Sequence, residues 1–373
     1  MVKRYSNQFG IVKLQLREGE KMVYFGGLLL LLLMGIGIKK NNDKMFLIWS
    51  AVLLILIMSL RSSSVGTDSQ NYTFLYRIIA NGGTTILSEK APLFTFILKG
   101  GSFIFGDSPQ AYFFLTSLMV IAPMWIAIYI SGVPSRTAVI LYYLLFFQQS
   151  LNGTRTFVSV SLVMLSYFLL KKRTKTSVIL SLTSLISAFF IHKIAIIGFA
   201  IVGTSYLKIE KKNVRNAVIV TTTIISLSLG TFLNLFLSVF PVYADTLETV
   251  NDMVGASAIV FQVPLIISLI LSFYLIKKRK DSNGNITKKD YDNMAVLIFS
   301  EVILYIVAGK TWYIQRVLLY LEMFIVFLFP VIDKTSNRYR KIYRLIVYTV
   351  SLFLFTYGIY RNLNGVIPYE FCW

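Results

Sequence analysis

The residues with ionisable or hydrogen-bonding chemistry gather where apolar runs begin and end. Arg61 and Asp68 bound the stretch Arg61-Ser-Ser-Ser-Val-Gly-Thr-Asp68 that leads to Tyr72, and Asn152 and Arg155 occupy the turn after Leu151. His192 and Lys193 follow the run ending at Ile191. Lys310, Trp312, Tyr313, Gln315 and Arg316 precede another run, and Tyr320 lies within it. The tail Asn364-Gly-Val-Ile-Pro-Tyr369-Glu370 closes the set. Charge at the edge of a membrane span is costly, so it tends to be functional or paired. Groups of these types would bind a charged substrate, move an ion or proton, or handle lipid. Each also has a plainer role: Arg155 and Arg316 as snorkelling cations, Asp68 as a helix N-cap, His192 as a hydrogen-bonded interfacial residue, Tyr72 as part of an aromatic belt. A single cysteine, Cys372, and a single histidine exclude an internal disulfide, a Cys-based zinc site and any pair of histidine ligands. Glu301 and Glu322 sit mid-run, where pairing with a basic or polar neighbour, or an ion or proton path, is expected.

The elements that must position these residues are membrane helices. Of the 373 residues 56% are hydrophobic and 14% charged, with a mean hydropathy of +0.68. Soluble domains carry about 45–50% apolar and about 25% charged residues. Continuous apolar runs, rather than alternation in period two, predict helices and not barrel strands. They cover 22–38, 45–60, 110–131, 137–151, 155–170, 176–191, 193–207, 216–240, 256–276, 291–308, 312–331 and 343–360. Segment 91–105 is weaker, with Pro92 at its start and Lys99, Gly100 and Gly101 inside it.

The basic residues, 37 against 17 acidic for a net +20, fix an orientation. Five loops are basic: 39–44, 171–175, 208–215, 277–289 and 334–344. By the positive-inside rule all five face the cytoplasm. An even number of crossings must then separate any two of them. Five apolar segments lie between the first two loops, so one fails to cross. Segment 91–105, about 22 Å as a helix, is read as re-entrant or interfacial. The expected fold is thus all-α: a polytopic integral membrane bundle of about twelve transmembrane helices (eleven to fourteen), with both termini outside. With Arg136 included, the inner loops hold 23 basic and six acidic residues, the outer loops nine and seven. The net charge therefore reports orientation, and no folded domain exists to present a nucleic-acid stripe. Residues 1–21 carry five basic side chains that resist export, which favours Met22 as the natural start, an N-terminal extension over 1–21 and a single membrane domain over 22–373. No small-residue cleavage site marks a signal peptide.

Several of the boundary residues form a recognisable series. Gly66-Thr67-Asp68-x-x-x-Tyr72 resembles the first-loop motif of the EpsG family, membrane proteins of bacterial exopolysaccharide and capsule clusters related in role to Wzy polysaccharide polymerases. Asn152-x-x-Arg155, Phe189-Phe190-Ile191-His192, Arg316-x-x-x-Tyr320 and Ile367-Pro368-Tyr369 resemble later motifs of that family, in the same order. Ser69 and Lys193 depart from it, as does Ala91-Pro92, where the family often has Glu-Pro and this chain has Glu89 two positions earlier.

The resemblance implies an enzyme of the outer face of the bacterial cytoplasmic membrane. It would transfer a growing glycan from undecaprenyl pyrophosphate to the sugar end of the next lipid-linked repeat, for capsule, O-antigen or exopolysaccharide. Its partners would be undecaprenyl-pyrophosphate-linked oligosaccharide, the lipid bilayer, and a chain-length regulator and flippase of the same pathway, with no nucleic acid and no cofactor. A departing pyrophosphate needs cationic donors, and the arginine fork suits phosphate. Arg155 and Arg316 come first in that role, then Arg61 and Lys310. Asp68 or His192 would be the base for the acceptor hydroxyl, with Asp68 preferred. Tyr72, Trp312 and Tyr369 would stack on sugars, and Asn152 and Tyr320 complete the substrate-binding set. The scattered outer acids offer no metal ligand set. A lipid-linked oligosaccharide flippase or polysaccharide transporter, or another glycan transferase such as a ligase or acyltransferase, is the rival reading.

Overall fold

The computed structural model describes residues 19–39, 41–207, 211, 213–224, 288–308, 312–333 and 340–372. Among them every regular element is a helix, and one isolated bridge joins Arg61 to Phe371. In chain order the helices are α1 (Gly19–Gly37), α2 (Asp43–Ser59), α3 (Ser69–Ala80), α4 (Ile86–Lys90), α5 (Pro92–Phe105), α6 (Pro109–Ser131), α7 (Ser135–Leu145), α8 (Phe147–Asn152), α9 (Thr154–Lys171), α10 (Lys175–Ile191) and α11 (Ile197–Gly203). A helical stretch at 213–224 follows, and then α12 (Lys288–Ala308), α13 (Trp312–Glu322), α14 (Ile325–Asp333) and α15 (Arg340–Arg361).

Local chemistry sets many of these ends. Pro92 and Pro109 open α5 and α6 at positions whose N–H has no helical partner. The Ser108 hydroxyl accepts from Ala111 N at 3.2 Å, and Thr174 with Ser177 forms a reciprocal cap on α10. Gly132, at φ +68°, ends α6 in the left-handed region.

α9 is the central helix, packed along α6 on one side and α10 on the other. It can be buried nearly all round because Ser159, Ser161 and Ser166 are small; Ser166 and Ser181 of α10 approach to 2.8 Å. Large apolar side chains point outward instead of inward on other helices: Ile36 on α1, Phe96 and Phe103 on α5, Ile179 on α10, Leu345 on α15. Such a surface suits lipid as solvent and not water.

Among the described residues three helices are long and apolar enough to cross a membrane unaided: Pro109–Ser131, Thr154–Lys171 and Lys341–Arg361. Pro109–Ser131, at about 1.5 Å per residue, is roughly 34 Å long. This is fewer than the twelve expected, and the reason is visible in the chain. The run 137–151 divides at Phe146 into α7 and α8, 312–331 divides at Met323–Phe324 into α13 and α14, and 193–207 is built of 3-10 turns around the short α11. α1, α2 and α10 are apolar but short. The runs 216–240 and 256–276 lie wholly or mostly outside the described residues, as do residues 1–18. Gly100-Gly101 does not break its segment: α5 continues through it, and Gly101 lies against the Leu115 side chain of α6, which would have to shift for a larger residue. Asn81 Nδ2 approaches Asp107 Oδ2 at 3.4 Å, and the Tyr76 hydroxyl donates to Gly106 O at 2.6 Å. The chain from Asn81 through α4 and α5 thus begins and ends at one place.

The bundle has two distinct ends. At one, Arg136 donates to Gly35, Ile38 and Lys39 carbonyls at 2.8–2.9 Å and lies 3.9 Å from Asp43, so the 35–44 and 131–136 turns meet. At the other, the Tyr24 hydroxyl donates to Val366 O at 2.9 Å and Tyr143 donates to Tyr24 O at 2.7 Å. The start of α1 and the tail after α15 therefore share the end that carries the 61–68 turn.

Candidate functional site

The 61–68 turn is tied down by the tail. Ser62 N donates to Glu370 O at 2.8 Å, Cys372 N to Leu60 O at 3.0 Å, and Gly66 N to Gly365 O at 2.7 Å. Gly66 and Gly365 have φ of +98° and +62°, where side chains are strained. A Cβ at Gly365 would come within 2.6 Å of Thr67 Cγ2, so the two glycines allow the turns to close. Across the bundle, Asn152 Oδ1 accepts from Asp68 N at 2.9 Å and from the Thr67 hydroxyl at 3.0 Å. Asn152 is thereby a clamp on the turn. Asp68 occupies the N-cap position of α3, but its carboxylate makes no capping bond.

Asp68 instead senses Arg316 of α13 and Arg155 in the first turn of α9. Partial burial raises its pKa, and the two guanidinium groups oppose that rise. His192, in the turn between α10 and the following 3-10 helix, is 5% exposed and senses the same two arginines. Burial first, then Arg155 and Arg316, pushes it down to about 3, so the imidazole is neutral. Its Nε2 lies 3.5 Å from the Thr156 hydroxyl, while Nδ1 is buried without a partner. Arg155 Nε is likewise buried and unpartnered. One turn deeper the Tyr320 hydroxyl donates to Ser159 Oγ at 2.9 Å, and Ser159 donates to Ala188 O at 3.0 Å. Four remote stretches of sequence thus bring one carboxylate, two arginines and a neutral imidazole together over a floor of hydroxyls.

Other expected residues take different places. Tyr72, half-buried, lies parallel to Tyr112 of α6, with ring centres 6.2 Å apart. The Tyr369 hydroxyl donates to Ile57 O at 2.6 Å, and its ring meets Tyr24 edge-on at 5.7 Å, so it ties the tail to α2. Arg61 is 1% exposed; its Nη1 donates to Leu151 O, and its guanidinium sits 4.3 Å from the Phe113 ring centre. Lys310 is outside the described residues, and so is the side chain of Trp312. Among the described residues no three of His, Cys, Asp and Glu gather as a metal site. Glu301, expected beside a basic or polar group, senses Glu322 across α12 and α13, and its Oε1 is buried without a partner.

The sequence reading missed Thr156, Ser159 and Tyr112. Helical spacing pointed to Ser159, four residues after Arg155 on α9, but not to Thr156, which directly follows Arg155. Nothing marked Tyr112, one aromatic in an apolar run.

No curated protein and no solved structure matches this chain. The EpsG family profile matches residues 44–371, a span that includes the Asp68 turn, Asn152, Arg155, His192, Arg316, Tyr320 and Tyr369. With nearly its whole length so matched, the chain belongs to the EpsG family, membrane proteins of polysaccharide biosynthesis.

Proposed function

We propose that the protein polymerises undecaprenyl-pyrophosphate-linked oligosaccharide repeat units on the outer face of the bacterial cytoplasmic membrane, a Wzy-like glycosyl transfer. The observation that carries this reading is the convergence of Asp68, Arg155, Arg316 and His192 at one end of the bundle. An acid beside two arginines matches a reaction that takes a proton from one substrate and releases a phosphorylated group from the other.

The acceptor sugar hydroxyl attacks the anomeric carbon of the donor glycan. The bond from that carbon to the pyrophosphate oxygen breaks, and the electron pair leaves with the lipid pyrophosphate. Asp68 accepts the hydroxyl proton, a role its position beside two cations supports by keeping the carboxylate available. Arg155 and Arg316 stabilise the charge that grows on the leaving oxygens. His192, neutral and low in basicity, is suited to hydrogen bonding rather than to proton abstraction; its Nδ1 and the Thr156 side would orient a sugar or phosphate oxygen. Asn152 and the Gly66–Gly365 contact hold Asp68 in register with α9.

The test uses purified protein and a synthetic lipid-linked repeat. A ladder of polymer is expected, with single repeats only from Arg155→Ala and Arg316→Ala at unchanged protein level. Long chains from both variants would remove pyrophosphate stabilisation from this scheme. A second reading, a lipid-linked oligosaccharide flippase, is favoured by the buried Glu301–Glu322 carboxyl pair. It predicts lipid movement in proteoliposomes without any new glycosidic bond.

A further inference from the structure

Three hydrogen-bonding groups lie one helical turn beneath three residues of the site. Tyr320 follows Arg316 by four residues on α13, Ser159 follows Arg155 by four on α9, and Ala188 precedes His192 by four on α10. Residues four apart share a helix face and lie about 6 Å apart along the axis. The three lower groups are joined directly. The Tyr320 hydroxyl donates to Ser159 Oγ at 2.9 Å, and the Ser159 hydroxyl donates to Ala188 O at 3.0 Å. That carbonyl also accepts from His192 N at 2.9 Å, the bond that closes the last turn of α10. Tyr320, Ser159 and Ala188 are all fully buried.

Buried hydroxyls need partners, so these bonds hold the helices together rather than decorate them. A hydroxyl has one proton to give. Both protons here are committed to the protein, and neither is left for a sugar or a phosphate. We propose that Tyr320 and Ser159 are positioning residues, a pin through three helices that fixes the axial register of α13, α9 and α10. It thereby sets the relative heights of Arg316, Arg155 and His192 one turn above. The inference rests on the polymerase reading, in which both arginines must meet one leaving group at once. In such a constellation a displacement of about 1 Å slows the reaction strongly. A second hydroxyl contact, Ser166 to Ser181 at 2.8 Å, joins the same α9 and α10 seven residues further from the site. It supplies the comparison with packing alone.

The test uses purified full-length protein, with two readouts: polymer kinetics on a synthetic lipid-linked repeat, and the imidazole resonances of histidine-labelled, untagged protein. His192 is the sole histidine, so those resonances report the site alone. Tyr320→Phe keeps the ring and removes the donor. It should lower kcat about two- to tenfold, the worth of one hydrogen bond, with KM little changed and the resonances shifted. Ser159→Ala breaks both bonds and strands the Tyr320 hydroxyl, so it should be slower still. Adding Tyr320→Phe to Ser159→Ala should cost nothing more, because the bond is already gone. Ser166→Ala should leave kcat and the resonances as in the wild type. If Ser159→Ala does not fold, Tyr320→Phe against Ser166→Ala decides. A raised KM at full kcat in Tyr320→Phe, the same loss from Tyr320→Phe on both backgrounds, or an equal effect of Ser166→Ala overturns the pin. Resonances that move as expected in a protein that makes no polymer sink the polymerase reading alone; a wild-type ladder with kcat and resonances unmoved in Tyr320→Phe sinks the pin alone.

Discussion

Asn152 separates a substrate contact from a positioning role. Its Oδ1 accepts at 2.9 Å from Asp68 N and at 3.0 Å from the Thr67 hydroxyl. Asn152→Ala removes both acceptors and leaves the Asp68 N–H without its partner. At about 0.5–1.5 kcal/mol per hydrogen bond the loss is about 1–3 kcal/mol. If that energy holds Asp68 in register, the rate falls about five- to hundred-fold, since about 1.4 kcal/mol is a factor of ten. The assay is polymer formation from a synthetic lipid-linked repeat at varied substrate. Positioning predicts a fall in kcat with KM little changed, because the bonds Asn152 makes are to the protein. Asn152→Asp keeps the acceptor oxygen and adds a negative charge beside Asp68. That charge raises the Asp68 pKa, so this variant should be slow at low pH and recover as pH rises, which Asn152→Ala should not do. A raised KM at full kcat in Asn152→Ala would show that Asn152 grips substrate instead, and wild-type rates would remove the clamp altogether.

Three further outcomes follow from the same geometry. Burial raises the Asp68 pKa and Arg316 with Arg155 opposes the rise, so Arg316→Gln should move its titration to higher pH; the carboxyl infrared band, identified by difference against Asp68→Asn, measures this, and an unmoved band refutes the proximity. His192 is the sole histidine and is held near 3, so the imidazole resonances of untagged protein should not titrate between about pH 5 and 8; a midpoint near the usual value of about 6.5 would mean that it is neither enclosed nor beside the arginines. Gly365→Ala meets both a positive φ and Thr67, whereas Gly82→Ala, at φ +81°, meets open space; the first should cost more than the roughly 1–2 kcal/mol of left-handed strain alone, read as a lower thermal midpoint than Gly82→Ala.

The sequence made the ends of helices legible and left their middles opaque. Asp68, Arg155, His192 and Arg316 stood out because each is a polar or charged residue at the border of an apolar run, where the bilayer makes such residues costly. The order of those borders along the chain, alternating between two faces, already placed all four on one side. Distances within that side were not legible, because nothing in spacing says that α9 lies between α6 and α10. Helix division was missed for a related reason. The run 312–331 is apolar throughout, and hydropathy does not register the turn at Met323–Phe324. Tyr112 was hidden by its own suitability for the core: a tyrosine among apolar neighbours is ordinary until its hydroxyl is found buried with no acceptor. Arg61 was grouped with Arg155 and Arg316 as a pyrophosphate ligand, and its enclosure was not legible because the tail that bridges to it lies some three hundred residues away in sequence.

Three arginines gather at this end of the bundle. Among the described residues Arg61, Arg155 and Arg316 lie at this end with Asp68 and with Glu370, whose carboxylate accepts from the Ser64 hydroxyl, and His192 is uncharged. Replacing any arginine by an apolar residue would relieve the repulsion and the cost of burial. A bundle selected for stability alone would have no reason to gather three guanidinium groups on one face. An anionic ligand changes the sign of the argument. A lipid pyrophosphate brings two or more negative charges, and each is worth more to the arginines in this partly enclosed place than in water. The arginines beside Asp68 also favour the leaving state over the bound substrate. The pyrophosphate gains charge as the glycosidic bond breaks, so the same excess cation stabilises the transition state more than the ground state, which is the condition for a rate effect rather than tight binding. A flippase would gain nothing from that difference, because its cargo keeps one charge throughout. Arginines beside Asp68 are therefore what the proposed bond-breaking chemistry requires.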